Sequence, residues 1–253
     1  MLKISISWRF SALSSSMRAL FLSAAVLMSP AYAATVIVTV EPTDNPYLAG
    51  APDGVTSVGD SAPAQSPTLA LTGFDTSQAI TFSAVGGFNN AGGFIATGSD
   101  GGSLFTMNAG RLGISGPLSV PANGLVGVFL DNSVPGGTAP PQRDDGVSFL
   151  SLSPLLRQIF WIGDGLTGNG SGTVQTFFAP AGATRLYLGP SDGFGWFNNS
   201  GGATVTINYS PLIAEVPEPD AWAMMIVGFG AIAMAMRARR PKENGFSWRI
   251  AIA

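Results

Sequence analysis

Apolar and polar positions alternate along this chain in short runs, and such runs predict β-strands rather than helices. The clearest is Ala203–Tyr209, where Val205, Ile207 and Tyr209 point one way and Thr204, Thr206 and Asn208 the other. That is the pattern of a half-buried antiparallel strand. Near the start, Ala34–Val40 (ATVIVTV) is rich in β-branched residues and predicts another. The runs Ala79–Val85, Gly124–Leu130, Val147–Leu152, Gln158–Gly163, Thr173–Ala179 and Thr184–Gly189 read the same way, with Gly, Asn, Asp and Pro clusters turning the chain between them. No amphipathic helical pattern exceeds two turns, and Ser153–Phe160 reads as one turn before a strand. The prediction is an all-β fold: one antiparallel β-sandwich of about seven to nine strands over residues 68–214. Residues 34–67 supply a first strand and a connecting segment that holds Pro42, Pro46, Pro52, Pro63 and Pro67.

Both ends depart from this pattern. Lys3, Arg9 and Arg18 precede the apolar run Ala19–Met28, and Ala31 and Ala33 then place small residues where a signal peptidase reads them. Residues 1–33 are therefore predicted to be a secretory signal helix, cut after Ala33. At the other end Ala221–Met236 is free of charge. As a helix it rises about 24 Å, against a hydrocarbon core of about 30 Å. Trp222 on one side and Arg237, Arg239, Arg240 and Lys242 on the other extend its reach. The expectation is a single transmembrane helix of marginal length over 221–236. Its basic flank and the tail 241–253 would be cytoplasmic, with the body outside and anchored to the inner membrane.

Composition narrows the chemistry. Only 11% of residues are charged, while Gly (33) and Pro (18) are plentiful. The chain has neither cysteine nor histidine, which removes disulfides, thiolate zinc sites, thiol nucleophiles and imidazole bases. Between Ala34 and Asp220 four arginines face fourteen acidic residues, an excess of ten negative charges. Such a body repels nucleic acid, whose phosphates need a basic surface. Its carboxylates suit a hard cation such as calcium, or serve as solvated surface charge.

The C-terminal stretch also carries a motif in fixed order: Pro217-Glu218-Pro219, then Trp222-Ala223, an apolar segment, and Arg237, Arg239 and Arg240. It resembles the PEP-CTERM sorting signal, in the PEPxxWA form of Gram-negative bacteria, over residues 215–240. The resemblance implies export, processing by an exosortase near the Pro-Glu-Pro, and a destination at the cell surface or in the exopolysaccharide matrix. Most sequences of that kind stop soon after the arginines, whereas this one continues through Pro241–Ala253.

Within the body, Phe177–Tyr209 holds the richest set of polar ligands. Two predicted strands flank a loop with Asp192, Asn198 and Asn199, whose oxygens suit calcium, beside Phe194 and Trp196, whose rings suit the apolar face of a sugar. The same residues also describe an ordinary Asp-Gly and Asn-rich hairpin loop. Leu-Tyr-Leu-Gly, then Asp192, then Asn-Asn-Ser-Gly before an alternating strand resembles the calcium site of bacterial PA-IL type galactose lectins. Ile80–Asn89, Gly124–Phe129 and Phe160–Gly165 resemble that family's earlier strands in order. The resemblance implies a galactose-binding-like, jelly-roll type sandwich. In it Asp192, Asn198 and Asn199 hold calcium with a backbone carbonyl near Asn90, and Asp192 and Asn198 also meet the sugar, on whose apolar face Trp196 is expected to stack from the loop's own residues. Here the loop is about one residue shorter than in those lectins, and their sugar-binding histidine has no counterpart.

Two further stretches read as turns. Gly163–Gly172 lacks the Lys-Ser/Thr ending of a phosphate loop. Asp144 and Asp145 are adjacent, so on a strand they would face opposite ways and not across a cleft. The expected function is therefore binding without turnover: an exported, surface or exopolysaccharide-associated carbohydrate-binding protein, or else a structural biofilm-matrix protein with no specific ligand.

Overall fold

The computed structural model describes residues 33–52, 54–56, 60, 66–90, 98–212 and 219–238. The chain divides into two units, Met1–Ala31 and Tyr32–Ala253. The first, with the predicted signal segment, lies outside the described residues, as do Pro217, Glu218, Arg239, Arg240 and the tail 241–253. In chain order the strands are β1 (Ala34–Val40), β2 (Thr68–Thr72), β3 (Ala79–Asn89), β4 (Leu104–Phe105), β5 (Val120–Pro121), β6 (Leu125–Leu130), β7 (Ser151–Leu152), β8 (Ile159–Trp161), β9 (Leu166–Gly168), β10 (Ser171–Val174), β11 (Thr176–Phe178), β12 (Arg185–Pro190) and β13 (Ser200–Tyr209), followed by helix α1 (Pro219–Ala238).

Alternation sets the register of the first sheet, ordered β1-β13-β3-β11-β7. β13 pairs β1 from Ala34 opposite Tyr209 to Val40 opposite Ala203, and pairs β3 on its other side. A slip of one residue would turn Val205 and Ile207 out and Thr204 and Thr206 in, so the buried face fixes the pairing. The second sheet, β2-β12-β6-β8, is antiparallel and faces the first across a shared core. Phenylalanines join the two sheets. Phe129 of β6 stacks on Phe160 of β8 at 5.1 Å, Phe160 meets Phe177 of β11 at 5.5 Å, and Phe177 meets Phe82 of β3 edge-on at 5.0 Å.

β6 is buried along its whole length, which explains why its sequence is apolar without alternation. Leu125 and Phe129 enter the core shared with the first sheet, whereas Val126, Val128 and Leu130 enter a second cluster with Tyr47, Met107, Ile114, Trp161 and Trp196. A layer of loops thus covers the outer face of the second sheet. Its closeness shows at Gly124, where a Cβ would stand 1.9 Å from the Trp161 ring.

Two expectations are corrected. The sheets are not purely antiparallel as in a jelly-roll sandwich, because β7 runs parallel to β11. After β7 the chain crosses to the second sheet as β8, makes the β9–β10 hairpin and returns as β11, the crossover that a parallel pair requires. The run expected as one strand over Thr173–Ala179 breaks at Gln175, which is buried and donates to the carbonyls of Val147 and Phe149.

The transmembrane helix expected over 221–236 is also overturned: among the described residues no helix is long and apolar enough to cross a membrane. α1 spans 20 residues, but Asp220 and Arg237 bound its uncharged stretch, which is about 24 Å long. The inner-membrane anchorage that rested on that helix is corrected with it.

Phe177 touches rings from both sheets and is fully buried. Phe177→Ala is therefore expected to cost about 3–5 kcal/mol, read as a lowered urea midpoint at an unchanged slope.

Candidate functional site

The loop from Ser191 to Asn199 leaves the second sheet at β12 and enters the first at β13, so it bridges the two at one end. Ser191 fixes its start. Its backbone exchanges hydrogen bonds with Asn123 and Gly124, and its hydroxyl accepts from Gly124 N–H at 2.9 Å. Asp192 then closes a tight turn, as Oδ1 accepts from the N–H groups of Gly193 and Phe194 at 2.7 and 3.3 Å. Gly195 adopts a left-handed conformation, φ 87°, that reverses the chain into a single 3-10 turn, Trp196–Asn198.

That turn carries Trp196 inward. The ring is fully buried, edge-on to Tyr47 at 6.0 Å, and Nε1 donates to the Pro190 carbonyl at 3.0 Å. Arg111 lies over Tyr47 at 5.0 Å and Trp196 at 6.0 Å. The expectation that Trp196 stacks on a sugar is corrected, since its faces are spent on the core. Phe194, 60% exposed, is the loop's open ring.

The expected ligands separate by burial. Asn198 is exposed, whereas Asp192 and Asn199 are buried. Asp192 Oδ2 and both side-chain atoms of Asn199 are buried without a hydrogen-bond partner. Asn199 lies close enough to favour the charged carboxylate, without completing a hydrogen bond of good geometry. Burial nevertheless pushes the Asp192 carboxyl above its ordinary value, and the negative charge of Asp60 adds to the rise. Asp192 lines a cavity of about 180 Å³ with Asn90, Ser103, Leu104, Phe105 and Gly193.

Asp60 is the neighbour that sequence reading missed. It stands far from Asp192 along the chain, and only the fold brings their charges together. Asn45 Nδ2 donates to Asp60 at 3.0 Å, and Asn45 Oδ1 caps the short turn at Pro46–Leu48 that seats Tyr47 against Trp196. Among the described residues no group of three or more Asp, Glu, His or Cys is placed to hold a metal. A cation at Asp192 would rely on amide and carbonyl oxygens as well. The other acids brace loops: Asp164 accepts from Leu166 and Gly170 N–H to close the β9–β10 hairpin, and Asp145 pairs with Arg143 at 2.6 Å. Gly163–Gly172 is thus mainly a hairpin.

The sorting residues with described backbone, Pro219, Trp222, Ala223 and Arg237, lie on α1, and its large apolar side chains from Met224 to Met236 are exposed. Residues 215–240 match the family model described as the PEP-CTERM protein-sorting motif. No curated protein and no solved structure matches the chain. The motif, about a tenth of the chain, supports export with signal-peptidase and exosortase processing. The likeness of the body to galactose lectins rests on its own residues alone.

Asp44, in the segment that leads from β1 to Tyr47, gives a pH test of the surrounding structure. Its Oδ2 accepts from Glu41 N–H, Thr68 N–H and Thr68 Oγ1, yet burial outweighs these bonds and pushes the carboxyl from 3.8 up to about 6. The folded state therefore holds this proton more tightly than the unfolded state. The resulting stabilisation is full below 3.8 and is lost as pH rises through about 6. The loss is about 3 kcal/mol. Thermal melts across this range should fall with rising pH in the parent, and Asp44→Asn should flatten that slope.

Proposed function

We propose that this chain is an exosortase-sorted protein of the cell surface or exopolysaccharide matrix, whose β body binds carbohydrate through calcium held at Asp192 and Asn199. One observation carries the reading: Asp192 Oδ2 and Asn199 Oδ1 are buried, lack hydrogen-bond partners and belong to one loop. A buried carboxylate oxygen without a donor is costly, and a cation or a proton relieves it. Oxygen donors alone suit calcium, so the residues present fit the ion. When bound, calcium supplies a positive charge that also accepts sugar hydroxyls.

The chain's own residues divide the remaining work. Asp192 Oδ2 and Asn199 Oδ1 would hold the ion, and the negative charge of Asp60 adds to its attraction. Asn198, exposed beside them, is available to sugar hydroxyls, and Phe194 offers the apolar surface first expected of Trp196. A second reading, a structural matrix protein without a ligand, is favoured by Asp192 Oδ1, which already closes the turn through two N–H groups.

Calorimetric titration separates the readings. Calcium should bind with measurable heat and raise the melting temperature, by about 2.7 kcal/mol of stability at a hundredfold excess over Kd. Asp192→Asn should abolish both effects, and galactosides should give heat only after calcium. No heat with either ligand and no loss of stability in chelator would leave the structural reading.

A further inference from the structure

β1 ends the five-stranded sheet, and among the described residues no strand pairs with its outer side. The other sheet ends are guarded. β7 has two residues and β8 three, with a bridge from Ser115 to Gln158 beside β8, and β2 shifts register against β12. β1 has none of these devices. It runs seven residues in unbroken register with β13 and carries no charge, no proline and no bulge. Ile37 at its centre is 66% exposed.

Its backbone is turned so that, among the described residues, this edge is unpaired from Thr35 to Ile37 and meets only Thr68 at Thr39. The Val40 carbonyl lies against Gly202 of β13, whereas the Thr39 carbonyl faces away and accepts from Thr68 Oγ1 at 3.1 Å. Peptide groups alternate along a strand, so Thr35 and Ile37 present their N–H and C=O outward. The sequence of this edge is also its own mirror: Thr35-Val36-Ile37-Val38-Thr39 reads identically in both directions. An antiparallel partner with the same sequence therefore sets threonine opposite threonine, valine opposite valine and isoleucine opposite isoleucine. Each is a favourable cross-strand pair. Val36 and Val38, half-buried against the core, would be covered further by their counterparts.

We propose that β1 pairs antiparallel with β1 of a second copy of this chain, across a two-fold axis at Ile37, so that two five-stranded sheets become one. The occupant is a second copy because the palindrome matches itself and no charge on the strand opposes the match. A two-fold contact of this kind closes on itself, so it yields a dimer and not a fibre. The pairing uses the outward groups of Thr35 and Ile37 and the second lone pair of the Thr39 carbonyl, whose first is taken by Thr68 Oγ1, and it does not involve the loop at Asp192.

The test uses the full chain recovered from its producing cell in processed form. Sedimentation equilibrium at micromolar concentration should give twice the chain mass, in chelator as well as in calcium. Ile37→Lys places like charges opposite each other at the axis and should raise the dissociation constant about tenfold or more. Its melting temperature, measured on the monomer, should match that of the parent monomer, because the side chain is exposed. The chain has no cysteine, so Ile37→Cys reports the pairing directly. Opposed Cα atoms about 5.5 Å apart lie within disulfide range, and mild oxidation should give a covalent dimer. Val85→Cys, 75% exposed on β3 of the same sheet, should give none. A monomeric parent overturns the proposal, as does Ile37→Cys crosslinking no faster than Val85→Cys. Capture of a different protein by Ile37→Cys in place of its own copy also overturns it.

Discussion

A file of phenylalanine rings holds this fold together. Phe74 meets Phe129, Phe129 stacks on Phe160, and Phe160 meets Phe177, which in turn touches Phe82 and Phe149. These rings belong to both sheets and to the loops between them. In a chain with no disulfide and little charge, their burial replaces covalent and ionic ties. The file also sets the distance between the end of β12 and the start of β13, and so the span that the loop from Ser191 to Asn199 must cross. Changes in sheet packing therefore reach Asp192 and Asn199 without touching either residue.

That loop follows from a second constraint, the burial of Trp196. Bringing the indole inside, with Nε1 bonded to the Pro190 carbonyl, pulls the chain tight between Gly195 and Asn199 and draws Asn199 in with it. Asp192 is held on the other side by Ser191 and by its own turn. Two polar side chains are thereby trapped in a place that apolar packing alone would not choose. A buried carboxylate must take up a proton or a cation or bear a desolvation cost. Asp60 raises that cost, and the cavity beside Asp192 leaves room for whatever relieves it. Asp44 is the contrasting case: it is equally buried but meets three donors, so its burial ties together the segment from Glu41 to Thr68.

The long alternating strands were legible in the sequence because one face of each is buried and the period of two survives. β1 has the predicted bounds, and β3, β12 and β13 lie within a few residues of theirs. β6 was legible for the opposite reason, as an unbroken apolar run covered on both faces. The sorting motif was legible because its parts come in a fixed order along the chain. What could not be read depends on distant convergence. The parallel pairing of β7 and β11 requires knowing that β8 crosses to the other sheet, and two-residue strands have no period to detect. Trp196 looked available for a ligand because a loop has no face to mark it as buried. Asp60 lies in a proline-rich segment whose sequence gives no sign of Asp192. The membrane span was overread from a stretch whose length was already short.

The placement of charge joins these features. Among the described residues every acidic side chain lies outside the strands, and Arg185 is the one charged residue within them. Loops thus carry the negative excess, while the outward face of the first sheet presents Thr35, Ile37, Thr39, Thr81, Ser83, Val85, Thr204, Thr206 and Asn208. Repulsion between acidic bodies acts chiefly through their loops, and salt screens it over about 8–10 Å. The neutral hydroxyl-bearing face, and the edge of β1 beside it, remain the surfaces where another neutral surface approaches at least electrostatic cost. Scarcity of charge, first read as a bulk property of the composition, is therefore a spatial one: it leaves a buried carboxylate in the loop between β12 and β13 and keeps charge off the edge of β1.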